Sequence, residues 1–382
     1  MGAFEMKIAI MSRWNATCGV SLHAELLARS LIKLGYKVAV FAPVLESANT
    51  DWHHLPINGE DEEWVYRVYE ETDDYLFPSG GRIDKAFIQS TDYDILVVEG
   101  YQRFPVREFS KVARRIKERA KLVLVVHTGY VRDLEPFMRI NWDSIVVFDE
   151  RYLNEIVKHF GEVVVRKTSI IPYPHAVLDD IRAYRPEFTD DKILFISYGR
   201  QPVQEYLDYV RVLRKLAREY SLVYWVIRGS SKLPVSDPWI VQKVKRPTMR
   251  VILSYVMGAD IHLLPKSETK AVVVSSTVAQ SLYTGTPIVA PNTRYFENIP
   301  VDSNGIGPIL KYELGNTIDL YLKLKKIIEE ESLREEIKRR AREYALMHSS
   351  EKVALMFIEL FREILREEPV VAKHTNTYIE TN

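Results

Sequence analysis

The feature of this sequence that most constrains its fold is an alternation of short apolar runs with amphipathic stretches. The runs Asp94–Val98 and Leu122–Val126 are almost continuously apolar, which is typical of strands buried on both faces of a parallel sheet. The stretch Phe109–Ala120 between them reads as a helix rich in basic residues. Because strands and helices alternate in this way, the sequence predicts an α/β fold with parallel sheets flanked by helices.

The alternation occurs twice, on either side of a break in the chain. The break, Pro172–Asp191, contains three prolines and mixed charges, and we place the domain boundary within it. Strands are predicted on both sides, at Lys7–Met11, Lys37–Ala42, Asp94–Val98, Leu122–Val126, Ser144–Phe148, Ser169–Ile171, Ile193–Ser197, Val223–Ile227, Ile261–Leu264 and Pro287–Ala290. A chain of 382 residues suits two domains better than one core. No internal repeat is visible, so the two halves are similar in architecture alone.

The remaining amphipathic stretches predict helices, whereas residues 44–90 have no clear pattern and stay unassigned. The predicted helices are Val20–Leu34, Phe109–Ala120, Arg151–Phe160, Val203–Glu219, one ending near Gly258, Thr277–Tyr283, Thr317–Tyr344 and Ser350–Glu367. We expect an N-terminal domain at 1–178 and a C-terminal domain at 179–349. The last helix, at about 350–367, is expected to pack back on the N-terminal domain, and residues 368–382 to form a flexible tail.

The composition excludes several classes of protein. Fifty-two basic residues balance fifty-two acidic ones, which argues against a protein that coats nucleic acid, so no nucleic-acid partner is expected. A single cysteine, Cys18, excludes an intramolecular disulfide and a cysteine-rich zinc module. No apolar run reaches the roughly 18–20 residues that span a bilayer, and the N-terminus does not resemble a signal peptide. A cytoplasmic protein is expected, and few glutamines among abundant Lys, Glu and Arg favour a thermophilic source.

Glycines and capping residues follow the predicted strands at three places where a phosphate could bind. In parallel α/β sheets, ligands lie outside the carboxyl ends of the strands, near helix N-termini whose amide groups favour phosphate. Gly19 lies between the first strand and the first helix, and Gly199 precedes Arg200 after the first strand of the second half. A guanidinium there could neutralise a pyrophosphate. Ser275–Thr277 reads as a helix N-cap.

Each of these features also has an ordinary structural explanation. Gly19 could serve the strand-to-helix turn alone, Arg200 could form a surface ion pair, and Ser275–Thr277 could be a common helix cap. Cys18 could be a small residue that fills the turn. The loop before Gly19 is not a GxGxxG dinucleotide fingerprint, so a nicotinamide-dependent enzyme is not indicated.

Taken in order, these segments resemble the family 4 retaining glycosyltransferases, which have the GT-B fold of two Rossmann-like parallel-sheet domains facing each other across a cleft. The similar segments run from about residue 6 to 365: CGV with SLHAELLARSLIKLGYKVAVFA, LVLVVHTG, SIVVFDERYLNEI with SIIPYP, ISYGRQP, YWVIRGS, MGADIHLLPKS, QSLYTGTPIVAPNTRYFENI and NGIGPIL. The resemblance implies transfer of a sugar from a nucleotide-diphosphate sugar to an acceptor hydroxyl, with retention at the anomeric carbon. It implies no metal and no cofactor beyond the donor, with a UDP- or GDP-sugar expected.

The resemblance also assigns roles to residues. Gly19 would contact the donor diphosphate through its backbone, His127 would lie at the donor sugar, and Arg200 would stabilise the departing diphosphate; His127 and Arg200 are the catalytic candidates. A histidine that merely ends a strand is the alternative for His127. The expected donor-binding residues are Cys18, Gly19, Val20, Gly199, Gly229, Lys266, Glu268, Ser275, Ser276, Thr277 and Gln280.

Five residues on loops after N-terminal strands are expected to face the acceptor. They are Arg13, Trp14, Glu99, Tyr101 and Arg103. Trp14 and Tyr101 could stack on a sugar ring or could pack within the protein. The acceptor would be a sugar, a lipid-linked molecule or a small solute. No pair of catalytic carboxylates is evident, which disfavours a hydrolase.

The chain departs from the family at the donor site. Glu205 stands where the family has a lysine, and Lys266 is a candidate to supply the cation from another loop. Gln280 and Val272 stand where the family has two glutamates. Gln280 could still bind a ribose hydroxyl, and Glu268 could replace the first glutamate.

Other functions therefore stay open. A catalytically silent GT-B domain that binds a nucleotide sugar or a partner protein is the main alternative, and a phosphorylase or an epimerase is another. The basic helix, Phe109–Arg119, could contact anionic lipids at the inner face of a membrane. A solvated helix face is the simpler interpretation of its charge.

Overall fold

The first half of the chain forms a parallel sheet of seven strands. The computed structural model describes residues 6–47, 60–72 and 81–366. In chain order the strands are β1 (Lys7–Met11), β2 (Lys37–Pro43), β3 (Val65–Tyr69), β4 (Ile95–Gly100), β5 (Lys121–Val126), β6 (Ser144–Val147) and β7 (Thr168–Ile170). They lie in the order β3-β2-β1-β4-β5-β6-β7, and each neighbouring pair is parallel.

The second half repeats this plan with six strands. They are β8 (Ile193–Gly199), β9 (Leu222–Arg228), β10 (Ile240–Val244), β11 (Ile261–Leu263), β12 (Ile288–Pro291) and β13 (Leu310–Tyr312). The order is β10-β9-β8-β11-β12-β13, again with parallel pairing. In both sheets the chain order reverses beside the first strand, and such a reversal opens a crevice at the carboxyl ends of the strands.

Helices cover both sheets. Within the described residues they are α1 (Gly19–Lys33), α2 (Lys85–Ser90), α3 (Val106–Lys117), α4 (Val131–Leu134), α5 (Glu150–Glu155), α6 (Glu162–Arg166), α7 (Leu207–Leu216), α8 (Met249–Met257), α9 (Ser276–Ser281), α10 (Thr317–Glu329), α11 (Glu331–Met347) and α12 (Ser350–Arg366). The two-domain α/β architecture predicted from the alternation is therefore confirmed.

Three strands that the sequence pattern does not predict, β3, β10 and β13, all lie at a sheet edge. An edge strand has one neighbour, so its side chains need not form an apolar run. Residues of β3 and β10 are accordingly half-buried or exposed for the most part, while strands such as β5 and β9 are almost completely buried.

Two segments that were each predicted as one continuous helix are interrupted in the structure. The predicted helix Thr317–Tyr344 is two helices, because Glu330 adopts an extended conformation with φ −107° and ψ 100° between α10 and α11. The break lets both helices bury apolar residues, including Leu320 and Ile337, against the same C-terminal core. The predicted helix Arg151–Phe160 consists of α5 followed by a 3₁₀ turn.

The chain crosses between the domains twice, and the two crossings are hydrogen-bonded to each other. The backbone N–H of His175 donates to the carbonyl of His348 at 2.8 Å, and the N–H of Ser350 donates to the carbonyl of His175 at 3.0 Å. After the second crossing, α12 buries Phe357 and Phe361 in the N-terminal core. The boundary at 178/179 stays a prediction, and the predicted tail 368–382 lies outside the described residues.

Candidate functional site

A cavity of about 580 Å³ lies between the two domains, at the carboxyl ends of β1 and β8. Residues 16–19, Leu22 and Glu25 line it from one side, and we call them the N-terminal wall. The lining residues from Tyr198 onward form the opposite side, the C-terminal wall. The predicted donor-binding residues that line this cavity are Cys18, Gly19, Gly199, Gly229, Lys266, Ser276, Thr277 and Gln280, together with the catalytic candidate Arg200.

Three predicted donor-binding residues do not line the cavity. Val20 packs partly buried against the N-terminal core. Ser275 caps α9, accepting from the N–H of Val278 at 3.4 Å, and it lines a second, smaller cavity. The carboxylate of Glu268 accepts from the N–H groups of Thr269 and Arg294. Glu268 therefore stabilises a loop instead of reaching the cavity.

Gly19 begins α1 at a point where the two domains lie in contact. A Cβ atom at Gly19 would lie 3.2 Å from the Cβ of Ser276 in the other domain, so glycine permits the close approach. The hydroxyl of Tyr173 donates to the carbonyl of Gly19. Among the described residues, no side chain caps the first amide groups of α1, and its first turn holds no acidic residue. Because Cys18 and Gly19 line the cavity, this helix N-terminus brings its partial positive charge to the cavity wall.

The C-terminal wall places positive charge at the other side of the same cavity. Burial lowers the pKa of Lys266, Glu205 raises it, and Arg200 lowers it further. The Lys266 ammonium lies 4.6 Å from the centre of the Tyr295 ring. The carboxylate of Glu205 accepts from the hydroxyl of Ser267 at 2.6 Å, which ties the Lys266 loop to the segment after β8.

Two further contacts shape the C-terminal wall. The Tyr198 hydroxyl donates to Oε1 of Gln280 at 2.9 Å, which leaves the amide nitrogen of Gln280 to donate to a ligand. The guanidinium of Arg246 donates through Nε to the carbonyl of Gly229 at 3.2 Å. A Cβ atom at Gly229 would lie 3.1 Å from Arg246, so the glycine lets this arginine pack over the loop.

Four of the five predicted acceptor residues are buried by contacts within the N-terminal domain. Trp14 is 1% exposed, and its Nε1 donates to Glu62 at 3.0 Å. The Arg13 guanidinium donates to Glu71 at 2.6 Å, and Arg103 lies 3.8 Å from the same carboxylate. The hydroxyls of Tyr101 and Tyr69 lie 2.8 Å apart. Arg13, Trp14, Tyr101 and Arg103 therefore pack inside the protein, and a role for them at an acceptor stays a prediction.

The fifth predicted acceptor residue, Glu99, lies in a buried cluster with His127 and His23. Oε1 of Glu99 lies 2.8 Å from Nδ1 of His23, and Oε2 lies 2.5 Å from Nε2 of His127. Burial would raise the pKa of Glu99, but the two histidines outweigh it and lower this pKa to about 2. Burial lowers the pKa of His127. An ionised carboxylate therefore accepts hydrogen bonds from both imidazoles.

Among the described residues, His23, Glu99 and His127 form the group of side chains that has suitable ligand atoms for a metal ion. Their ligand atoms lie within 4.8 Å of one another. Nitrogen and oxygen ligands at about 2.1 Å from a tetrahedral zinc would stand about 3.4 Å apart. The separations of 2.5 and 2.8 Å are shorter and match hydrogen bonds. The arrangement seen here is thus a hydrogen-bonded cluster.

A backbone contact joins the two domains next to His127. The N–H of Val272 donates to the carbonyl of Gly129 at 3.0 Å. A Cβ atom at Gly129 would lie 2.3 Å from the carbonyl oxygen of Val272, so glycine is required for this approach. Nearby, Arg151 pairs with Glu297 across the domains at 3.1 Å.

Comparison with solved structures agrees with this architecture. The Anabaena protein HepE in complex with UDP has a TM-score of 0.65 at 12% identity over 94% of this chain and 100% of that one. A glycosyltransferase from Rickettsia africae has a TM-score of 0.66 at 14% identity over 96% and 100%. An α-glucosyltransferase solved with UDP and DNA has a TM-score of 0.63 at 15% identity over 94% and 99%. The chain has the GT-B fold.

The GT-B fold predicted from the sequence is therefore confirmed. No protein-family model matches the chain, so family 4 and retention stay predictions. In the part of the chain that the structure describes, no helix is long and apolar enough to cross a bilayer.

Sequence reasoning missed several lining residues. Glu25, Leu22, Tyr198 and Tyr295 all line the cavity, and although all four stand in segments that carry the resemblance, none of them was assigned a role. Leu22 and Glu25 follow Gly19 at intervals of three residues on α1. Residues at this spacing share a helix face, and this signal could have placed Leu22 and Glu25 beside Gly19.

Proposed function

We propose that this protein is a retaining glycosyltransferase that moves a sugar from a nucleotide-diphosphate sugar to an acceptor hydroxyl. The observation that carries the proposal is the cavity between the sheets, where the N-terminus of α1 faces Arg200 and Lys266. A helix N-terminus and two cations suit a diphosphate. The solved complexes of HepE with UDP and with UDP-glucose support a donor of this class.

In this proposal Arg200 and Lys266 stabilise the charge that develops on the departing phosphate. Charged donors held in a partly buried site act most strongly on such a leaving group. Lys266 takes the place of the family's lysine, whose position is occupied here by Glu205. The contact of Glu205 with Ser267 supports this exchange, because it holds the Lys266 loop beside Arg200.

The remaining donor contacts are assigned in the same way. Gly19 and the amide groups of α1 bind the diphosphate, and the amide nitrogen of Gln280 binds the ribose. His127 lies beside the donor sugar. The acceptor, a glycan, a glycolipid or a small solute, enters between the domains, and no metal takes part. The balanced charge of the chain favours these acceptors over the DNA seen in the α-glucosyltransferase complex.

One test is a transfer and donor-hydrolysis screen of the purified chain with UDP-, GDP- and ADP-sugars, with and without EDTA. We expect turnover of one donor class, unchanged by the chelator. Release of sugar with inverted anomeric configuration would contradict retention. Loss of turnover with EDTA would contradict metal independence.

A second candidate function is a catalytically silent GT-B domain that binds a nucleotide sugar. The observation that favours it is the absence of both family glutamates, at Val272 and Gln280. Val272 is buried and held by its contact with Gly129. Binding of a nucleotide sugar without any transfer or hydrolysis would support this alternative.

We also propose contact with an anionic membrane as the setting for a lipid acceptor. The exposed side of α3 carries Arg107, Lys111, Arg114 and Arg115, and basic helices bind anionic headgroups. Pelleting with vesicles that depends on anionic lipid would support this setting, and pelleting independent of lipid charge would oppose it.

A further inference from the structure

Arg151, on α5 of the N-terminal domain, uses its whole guanidinium group in hydrogen bonds. A guanidinium has five N–H donors, and the hydrogen bonds of this one are 2.7 to 3.1 Å long. Two of them go to Asp149, the N-cap of α5 in the same domain. The other three go to the C-terminal domain, to the carbonyls of Val273 and Arg294 and to the carboxylate of Glu297.

Arg294 forms the reverse contact. It follows β12 in the C-terminal domain, and its Nη2 donates to both carboxylate oxygens of Glu155 on α5, at 2.9 and 2.8 Å. The side chains of Arg151 and Arg294 are 15% and 24% exposed, so salt screens their contacts less than those of a fully exposed ion pair. Each domain thus extends one arginine to the other, and we call the contacts that these two arginines make across the domains the arginine clasp.

The arginine clasp fastens segments that form the C-terminal wall of the larger cavity. Val273 lies three residues before Ser276, and Arg294 directly precedes Tyr295; Ser276 and Tyr295 both line that cavity. The ring of Tyr295 in turn lies 4.6 Å from the ammonium of Lys266. The two arginines of the clasp are outside this lining, so they act on a ligand only through the position of the wall.

We propose that Arg151 is a positioning residue whose arginine clasp holds the two walls of the cavity together before a nucleotide binds. The chain itself makes these contacts, so the closed arrangement does not depend on a ligand. The apparent affinity for a ligand scales with the fraction of molecules that are in the binding-competent form. The clasp therefore raises the affinity of the cavity without touching the ligand. Its effect on nucleotide binding rests on the proposed function, whereas its effect on the arrangement of the domains does not.

Small-angle X-ray scattering of the full chain measures the domain arrangement without a nucleotide. We expect a larger radius of gyration in the double variant Arg151→Gln/Arg294→Gln than in the wild type. The control Arg82→Gln removes an ion pair with Glu70 within the N-terminal domain and should keep the wild-type value. An unchanged radius in the double variant overturns the proposal, and so does a wild-type radius that falls when a nucleotide binds. If the double variant does not fold, the single variant Arg294→Gln, which removes a partly exposed pair, decides in its place.

Kinetics then test the link between the clasp and the cavity. If Arg151→Gln is closed for about a tenth of the time, its KM for the donor should rise about tenfold. Its kcat should stay close to that of the wild type, because a saturating donor draws the protein into the closed form. Arg151→Lys keeps the charge but loses the planar fork, so its KM should lie between the two. A fall in kcat at unchanged KM overturns the positioning role. If no nucleotide binds, the proposed function fails while scattering still decides the clasp.

Discussion

The two sides of the cleft use charge in opposite ways. Charged groups of the N-terminal domain pair with one another, as in Arg13 with Glu71 and in the histidine cluster around Glu99. On the C-terminal wall, Arg200, Lys266 and Arg246 line the cavity itself. The N-terminal side is thus held in one shape by internal hydrogen bonds, whereas the C-terminal side places cations at the cavity, where the proposed function requires an anionic ligand to bind.

Because of this difference, we expect substitutions on the N-terminal side to change the stability of the fold and substitutions on the C-terminal wall to change ligand binding. Removing one partner of a buried ion pair leaves an uncompensated charge and destabilises the fold. Removing a cation from the cavity wall weakens ligand binding and leaves the core intact. Variants on the two sides should therefore differ in which measurement they change.

The largest expected effect is on folding, from Glu71→Ala. Glu71 is buried and pairs with Arg13, so we expect the free energy of unfolding to fall by about 3–5 kcal/mol in urea titrations. The neighbouring Glu70→Ala removes an ion pair with Arg82 at the surface and should change stability by less than about 1 kcal/mol. Equal effects of the two variants would contradict the structural role of the buried pair, on which the account of the N-terminal side depends.

The next effect is on turnover, from Lys266→Met. This variant removes a half-buried ammonium beside Arg200, and we expect the transfer rate to fall by about 100-fold with little change in unfolding. The control Lys270→Met changes an exposed lysine of the same loop and should keep the rate. A Lys266→Met enzyme with wild-type turnover would refute the proposal that Lys266 supplies the positive charge that the family has at the position of Glu205.

The pH dependence of turnover also tests the role of the Lys266 ammonium. Burial lowers the pKa of Lys266, so the ammonium is lost at a lower pH than in an ordinary lysine, and turnover should fall on the alkaline side. Glu205 raises this pKa, so Glu205→Gln should move the alkaline fall to lower pH. The fall should vanish in Lys266→Met, and a shift to higher pH in Glu205→Gln would be inconsistent with the assignment.

The smallest expected effect is on the reactivity of Cys18, the single cysteine of the chain. Cys18 lines the cavity from the N-terminal wall, so a bound nucleotide should slow its alkylation by iodoacetamide severalfold, as followed by mass spectrometry. Alkylation that is unaffected by a nucleotide shown to bind would place that nucleotide elsewhere.

Periodicity and turn residues were sufficient to predict two parallel-sheet α/β domains, and the resemblance to known glycosyltransferases added the GT-B fold. Central strands such as β4 and β5 bury both faces and therefore appear as apolar runs, whereas the edge strands β3 and β10 do not. Glycine at positions 19 and 199 and the cation Arg200 were predictable, because the ends of parallel strands meet at one edge of a sheet.

Contacts between distant segments could not be predicted in the same way. The partners of Glu99 are 76 and 28 residues away, and their meeting depends on how α1 packs against the sheet. Trp14 and Tyr101 were candidates for stacking on a sugar, yet both are buried, because Glu62 and Tyr69 supply their polar partners within the protein.

The central claim is that the cavity binds a nucleotide diphosphate through Arg200. The most direct test is calorimetric titration of the purified chain with UDP, GDP and ADP, repeated with Arg200→Ala and with the control Arg211→Ala on the exposed side of α7. We expect one site for one of these nucleotides, with binding at least about tenfold weaker in Arg200→Ala and unchanged in Arg211→Ala. Binding of equal strength in Arg200→Ala, or no binding of any of the three nucleotides, would contradict it.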